Sequence, residues 1–398
     1  MSFYDDLETR SQDAREAAQL KLLQAALTAA ASAPAGQQYA EARVQSLADL
    51  ARLPVTRKSD LVARQQAAPP FGGFAVKGLS HYFQSPGPIY EPGGAGNDWF
   101  RLGRFLHASG VRGSDIVQNC FSYHLVPAGI MFESAARAVG AAVLPAGTGQ
   151  TDLQVRAARD IGSTVYAGTP DFLKIILDKA DELGVSLKFA RAVVGGGALF
   201  PSLRQEYADR GVITRQCYAT ADVGNIAYET EALEGMVADE GIVLEIVRPG
   251  TGDPVPPGEV GEVLVTNLNT DYPLIRFATG DLSAVLPGVS SCGRTNIRIK
   301  GWMGRADQTT KIKGMFVRPE QVADFVSRHP EVLRARVVAG REGEMDSMTV
   351  QVETRASNPA LYEASVMEAL KLRGRIELVP PGSLPNDGKV IDDTRSYG

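Results

Sequence analysis

Between about residue 80 and residue 225 the chain alternates short apolar runs with longer amphipathic ones, and this alternation narrows the fold more than any other feature. The apolar runs fall at 116–120, 141–144, 164–167, 190–194 and 212–218. Helical patterns separate them at 130–139, at 151–160, from Thr169-Pro170 onward, and at 201–209. Thr169 is a residue type suited to capping, with a proline at the first helical position behind it. Strands this apolar are buried on both faces, so the repetition predicts a mostly parallel sheet covered by helices on each side. Ligands of such sheets sit beyond the carboxyl ends of the strands. Two strand ends carry unusual residues there: Gly195-Gly196-Gly197 and the run from Tyr218 to Asp222.

The flanking regions read differently. Residues 5–31 predict an amphipathic helix, and a second helix through 39–51 stops before Pro54. Thr56 or Ser59 is placed to cap a short helix after it. From 240 to 285 the period changes to two, with GIVLEIV and VGEVLVT predicting an antiparallel hairpin with a long connection. DYPLIRFATGDLSAVL predicts a further strand pair around Thr279-Gly280-Asp281. The stretch 301–319, GWMGRADQTTKIKGMFVRP, is where this chemistry gives way to a compact α+β pattern. That pattern has helices at 317–330 and 359–372, strands at 335–340, 347–354 and 375–379, and a final loop PPGSLPNDGK ending at Lys389.

At 398 residues the chain exceeds what one core supports. The expected organisation is therefore a large multi-layer α/β domain over 1–303, with an N-terminal helical segment at 1–75 and a β-rich portion, followed by a small mobile α+β domain over 304–398. A net charge of −5 without a Lys/Arg block argues against a nucleic-acid partner. No apolar run approaches the ~18 residues that span a bilayer. The acidic opening MSFYDDLETR is unlike a signal peptide, so the expected setting is cytoplasmic and away from membranes. Cys120, Cys217 and Cys292 are odd in number and scattered, which predicts neither a disulfide framework nor a zinc cluster.

Several segments together resemble the acyl- and aryl-adenylate-forming ligases, within them the phenylacetate–CoA ligase branch. PVTRKSDL followed by PFG is similar to the branch's Pro-x-Thr-x-Lys-x-Asp-Leu. Tyr218-Ala219-Thr220-Ala221-Asp222-Val223 resembles Tyr-Gly-Leu-Ser/Thr-Glu-Val, and Pro273-Leu274-Ile275-Arg276 with Thr279-Gly280-Asp281-Leu282 resembles Pro-Leu-Ile-Arg and Thr-x-Asp-Leu. Gly304-Arg305-Ala306-Asp307 matches the start of Gly-Arg-x-Asp-Asp, and Lys313-Gly314, Pro319-Glu320 and Gly388-Lys389 fall in the expected order behind it. The resemblance covers most of the chain.

It implies an enzyme that activates a small carboxylic acid with ATP and Mg²⁺, releases pyrophosphate, and passes the acyl group from AMP to the thiol of coenzyme A. Asp281 would hold both ribose hydroxyls, since a carboxylate accepts two hydrogen bonds. Arg305 would reach ribose or phosphate with its planar fork. Tyr218, with Ala219 and Thr220, would lie along the adenine, and Gly195, Gly196 and Gly197 would allow close backbone approach on the other side. Lys389 would place a cation on the oxygens that gain charge during adenylation. Asp307 would be the hinge, and its rotation would replace Lys389 by the Lys313-Gly314 loop for the CoA half-reaction. Tyr123 and His124 would border the acid, Asp222 would ligate Mg²⁺, and a homodimer is the expected assembly.

The departures are concentrated on the triphosphate. Where the family has Ser-Ser-Gly-Thr-Thr-Gly-x-Pro, this chain reads Phe83-Gln84-Ser85-Pro86-Gly87-Pro88-Ile89-Tyr90-Glu91-Pro92. Its prolines remove backbone donors, Glu91 adds a negative charge beside a polyanion, and Gly93-Gly94 with Gly96 is the candidate for a replacement nest. Ala221 lacks the hydroxyl expected for the α-phosphate, and Gly197 replaces a glutamate. Three readings therefore stand: an ATP-dependent aryl- or acyl-CoA ligase, an ATP-independent acyltransferase between CoA and another thiol such as that of a carrier protein, and a non-catalytic protein binding nucleotide or acyl-CoA.

Overall fold

The computed structural model describes residues 2–306, 308–342 and 345–395. Its largest sheet has nine strands. Five are parallel, in the order Ile213–Thr220, Arg191–Val194, Val165–Gly168, Ile116–Asn119, Ala142–Leu144. Beyond Ile213–Thr220 the sheet turns antiparallel through Gly224–Glu229, Met236–Ala238 and Arg298–Ile299. The helices Ala128–Ala138, Thr151–Ile161, Pro170–Glu182 and Pro201–Asp209 follow the parallel strands in turn.

Both faces are covered, as the alternation requires. On one face Val117, Val165, Ala167 and Val193 pack with Phe105, Leu106, Phe132 and Ala135. On the other, Tyr166, Ala192 and Val194 pack with Val155, Leu173, Ile176 and Tyr207. Neighbours along one strand thus belong to opposite layers, which is the period of two in a pleated backbone.

Four local expectations are corrected. The helix expected at 39–51 is replaced by two 3-10 turns, Pro34–Tyr39 and Leu47–Arg52. Gly36 lies so close to the end of the helix Gln12–Ala31 that a Cβ there would stand 2.0 Å from the Ala30 carbonyl oxygen. Close packing, not local propensity, therefore fixes the chain path at that point. Residues 5–31 likewise divide into a 3-10 turn, Asp6–Thr9, and the helix Gln12–Ala31, whose N-terminus is capped by the Ser11 hydroxyl. Neither Thr56 nor Ser59 caps the helix Leu61–Ala67: Thr56 is in a two-residue strand and donates its N–H to the Arg276 carbonyl, while Ser59 sits inside a 3-10 turn. Finally, Thr279-Gly280-Asp281 lies within one strand, Phe277–Ser283, and not at a turn between two.

The chain forms two compact units, the larger comprising Met1–Leu244, Val265–Phe277 and Leu286–Gly301, the smaller Glu245–Leu264, Ala278–Val285 and Trp302–Gly398. In the smaller unit a four-stranded sheet runs in the order Arg375–Val379, Met345–Thr354, Val332–Glu342, Ile391–Asp393. Val337, Val350 and Val352 from this sheet bury against Val322 and Phe325 of the helix Pro319–Ser327 and Tyr362 and Val366 of the helix Ala360–Leu370. The 301–319 stretch does carry a hairpin, Thr310–Ile312 with Met315–Val317. Lys313 and Gly314 are its two turn residues, at φ +48° and +83°, the sign that matches a two-residue turn to strand twist. Among the described residues no helix is long and apolar enough to cross a membrane.

Candidate active site

In the larger unit the candidates collect at the carboxyl ends of the parallel strands. Gly195-Gly196-Gly197 follows the strand Arg191–Val194, and Gly196 takes φ +68°. A Cβ on Gly195 would stand 3.1 Å from the Cys217 sulfur, so the bare backbone lets the next strand close up. Tyr218 is buried near the end of that strand, Ala219 and Thr220 are half-buried, and the Thr220 hydroxyl accepts from the Val223 N–H at 3.3 Å. Asp222 is buried at the turn that follows.

The Asp222 carboxylate has a partner that lies 164 residues earlier: Lys58 Nζ donates to Oδ2 at 2.6 Å. Its Oδ1 is buried without a hydrogen-bond partner. Glu91 belongs to the same cluster and is 0 % exposed. Burial pushes its carboxyl up to about 7; nearby Asp222 adds to the rise, and Ser85 and Lys58 temper it. The segment expected to wrap phosphates is in fact an antiparallel hairpin, Leu79–Ser85 with Ile89–Gly94, that pairs Phe83 with Glu91 and Ser85 with Ile89. The Glu91 carboxyl is thus buried in the protein and titrates well above its usual range. Cβ atoms on Gly93 and Gly94 would lie 2.6 Å from the Phe83 ring and 2.3 Å from the Trp99 indole, whereas Gly96 has nothing within 4 Å.

Tyr123 and His124 lie in the loop after the strand Ile116–Asn119. The Tyr123 hydroxyl accepts from Asn119 Nδ2 at 2.8 Å, and burial holds its pKa above the usual phenol value. His124 is exposed. Phe121, just before them, is buried and stacks on Phe132 with ring centroids 4.2 Å apart, so its ring belongs to the core. Cys120, Cys217 and Cys292 are all free and buried, and no group of three or more His, Cys, Asp or Glu side chains among the described residues is placed to hold a metal ion.

In the smaller unit Asp281 and Arg305, 24 residues apart, come together. Arg305 Nη1 donates to Asp281 Oδ1 at 2.9 Å, and the two residues also form a backbone bridge. The bridge is extended by N–H donation from Leu282 to the Gly304 carbonyl and from Ala306 to the Gly280 carbonyl. Gly280 takes φ +76° here, a conformation that favours glycine, and a Cβ on it would stand 2.7 Å from Arg305 Nη2. Trp302, unremarked in the sequence, also donates its indole N–H to Asp281 Oδ1, at 3.0 Å. Lys389 is half-exposed, and its ammonium donates to Asp392 Oδ1 at 2.8 Å. Lys313 and Gly314 are exposed at their hairpin turn, the Lys313 N–H donating to Asp346. Asp307 lies outside the described residues.

Two of the groups described here were not singled out in the sequence. Lys58 is the lysine of the quoted PVTRKSDL segment, so a signal for it existed. Trp302 had none beyond lying beside Gly304-Arg305.

Comparison with known proteins places this chemistry in a family. No family model matches the chain. It is 30% identical over 328 residues to the phenylacetate–coenzyme A ligase of Thermus thermophilus, covering 78% of this chain and 73% of the relative. To the Pseudomonas putida enzyme of the same name it is 29% identical over 385 residues, covering 90% and 86%. Among solved structures, an open conformation of 2-hydroxyisobutyryl-CoA ligase superposes with a TM-score of 0.70 at 24% identity, covering 95% of this chain and 91% of that one. That likeness shows the fold, a large N-terminal and a smaller C-terminal domain. The extent and identity of the curated matches settle the family: the chain belongs to the phenylacetate–coenzyme A ligases, AMP-forming acid–CoA ligases of the adenylate-forming superfamily.

Proposed function

We propose that this protein forms an aryl-CoA thioester from a phenylacetate-like acid, ATP and coenzyme A by way of an acyl-adenylate. The observation that carries the reading is the convergence of Arg305 and Trp302 on the Asp281 carboxylate. A carboxylate held by two donors at one oxygen is oriented in advance for binding ribose. Arg305 remains half-exposed and supplies a fixed fork for phosphate. Lys389 brings the cation that stabilises charge as the carboxylate attacks the α-phosphorus and pyrophosphate departs. Tyr218 and the Gly195–Gly197 backbone border the base, and Tyr123 and His124 border the acid. The domains are the large 1–303 and the small 304–398 bodies, and Asp307 is the pivot whose rotation exchanges Lys389 for Lys313-Gly314 at the reacting carbon. A magnesium ion fits one buried oxygen in particular, Asp222 Oδ1, which has no other hydrogen-bond partner. When bound it neutralises phosphate charge, while Lys58 holds the second Asp222 oxygen in place.

Pyrophosphate release with ATP and Mg²⁺ tests this across a panel of arylacetic, benzoic and short branched acids. An arylacetic acid should give the fastest release, with the matching CoA thioester as final product. Acyl exchange from an acyl-CoA without pyrophosphate release from any acid would instead favour an acyltransferase acting on thioesters alone.

A further inference from the structure

Gln308 follows directly on the proposed pivot, and its side chain reaches a backbone segment 80 residues further on. Oε1 accepts from the N–H of Val390 at 2.6 Å and from that of Ile391 at 2.8 Å. Nε2 donates to the Gly388 carbonyl at 3.2 Å and to the Arg305 carbonyl at 3.3 Å. A primary amide has two acceptor positions and two donor hydrogens. All four are engaged, and three of the four bonds fall on the backbone between Gly388 and Ile391, around Lys389.

The segment needs such a tether. From Pro380 to Lys389 the chain has no helix or strand, and Lys389 projects from its end. Other ties hold the stretch just before it, namely Asn386 to the Val260 N–H at 2.9 Å and Asp387 to the Lys389 N–H at 3.0 Å. Arg336 Nε donates to the Lys389 carbonyl at 3.1 Å. Among the described residues, only Gln308 grips the backbone on both sides of the lysine while also bonding to a residue on the other side of position 307. The motif that this segment resembles carries an aspartate where Gln308 stands. A carboxylate only accepts, so it would face the Gly388 and Arg305 carbonyls with like charge. An amide satisfies two carbonyls and two N–H groups at once.

We propose that Gln308 is a positioning residue for adenylation: it fixes the backbone that aims Lys389 and carries that segment as one piece when the pivot turns. The inference rests on the reading of Lys389 as the adenylation lysine. Rotation gives up the bond to Arg305, the longest of the four, and keeps the three to the Lys389 segment. Misplacing a reacting group by about 1 Å can cost on the order of 100-fold in rate, so the loss of the clamp should appear in adenylation and not in thioester formation.

The test uses the full chain with Gln308→Glu, which keeps shape and acceptor, Gln308→Ala, and Lys389→Ala. Pyrophosphate release is measured with the best acid of the panel, and thioester formation is measured separately from that acid's supplied adenylate and CoA. Both Gln308 variants should lower kcat for pyrophosphate release by roughly 10- to 100-fold. KM for ATP should stay within about threefold, and thioester formation from the adenylate should be unchanged. Loss of adenylation in Lys389→Ala with none in either Gln308 variant overturns the clamp alone. Equal loss in both half-reactions, or a fall in melting temperature that accounts for the activity lost in Gln308→Glu as well as Gln308→Ala, reduces Gln308 to a structural residue and overturns it too. Undiminished adenylation in Lys389→Ala removes the reading on which the inference stands.

Discussion

Asp281 is buried among its partners, and in the proposed role it accepts from ribose, so a single substitution separates its charge from its shape. Asp281→Asn keeps one acceptor oxygen, loses the charge that holds Arg305, and presents an NH₂ where a ribose hydroxyl would donate. Hydrogen bonds to charged groups contribute about 1.5–3 kcal/mol. KM for ATP in pyrophosphate release should therefore rise roughly 10- to 100-fold, while KM for CoA in thioester formation from a supplied adenylate moves little. Glu91 makes a different prediction. An ordinary glutamate titrates near 4.5 and this one near 7, so between those values the unfolded chain releases a proton that the folded chain keeps. Stability therefore falls as pH rises through that window. Glu91→Gln removes the titration, and denaturation at pH 4 and pH 8 should show the variant gaining on the parent by on the order of 3 kcal/mol. A stability difference that does not change with pH would mean that Glu91 titrates alike in the folded and the unfolded chain. Nothing local in the sequence marks this residue: a glutamate between Tyr90 and Pro92 reads as exposed, and only the pairing of Glu91 with Phe83 turns it inward. The Lys58–Asp222 pair is hidden for the same reason, since no periodicity links residues 164 positions apart.

Elements were legible where one physical rule governed them. The parallel strands emerged from the sequence because each is short, apolar and bounded by turns, and the strand Arg375–Val379 falls on the expected residues. The hairpin Thr310–Ile312 with Met315–Val317 turns at Lys313-Gly314, whose positive φ values a two-residue turn requires. The N-terminal 3-10 turns were not, because close packing around Gly36 sets them and composition does not. Likewise the Pro-Gly-Pro run of 86–88 suggested an open loop, whereas flanking strand pairing closes it into a hairpin. The Lys313-Gly314 turn gives a prediction at this scale. A Cβ on Gly314 would meet nothing within 4 Å, so Gly314→Ala carries only the strain of φ +83°, about 1–2 kcal/mol. Melting temperature should drop by a few degrees, about what that energy implies. If the turn admits the pantetheine arm, thioester formation from a supplied adenylate should slow several-fold while pyrophosphate release holds. Equal rates in both assays would remove the turn from the CoA half-reaction.

Over the whole molecule, the change from strand–helix alternation to a compact α+β pattern near residue 301 pointed to two bodies, a large N-terminal and a smaller C-terminal one. The compact units also place 245–264 and 278–285 in the smaller one. Sequence order gives no sign of this, because the boundaries fall inside the strands Ile242–Val247, Gly261–Asn267 and Phe277–Ser283. A proline at the pivot tests the two-state scheme directly, since its ring fixes φ near −65°. Asp307→Pro should keep pyrophosphate release within a few-fold and depress CoA transfer at least tenfold; unaltered overall turnover would dismiss position 307 as the axis. The chain also carries the means to follow its own occupancy. It has two tryptophans. Trp99 sits edge-on to Phe100 at 4.7 Å, whereas Trp302 is 54% exposed and bonded to the Asp281 carboxylate. In the proposed role of Asp281, nucleotide arriving there meets that indole. Intrinsic emission should therefore respond to AMP in unlabelled protein, and Trp302→Phe should silence the signal and leave Trp99 as a constant background.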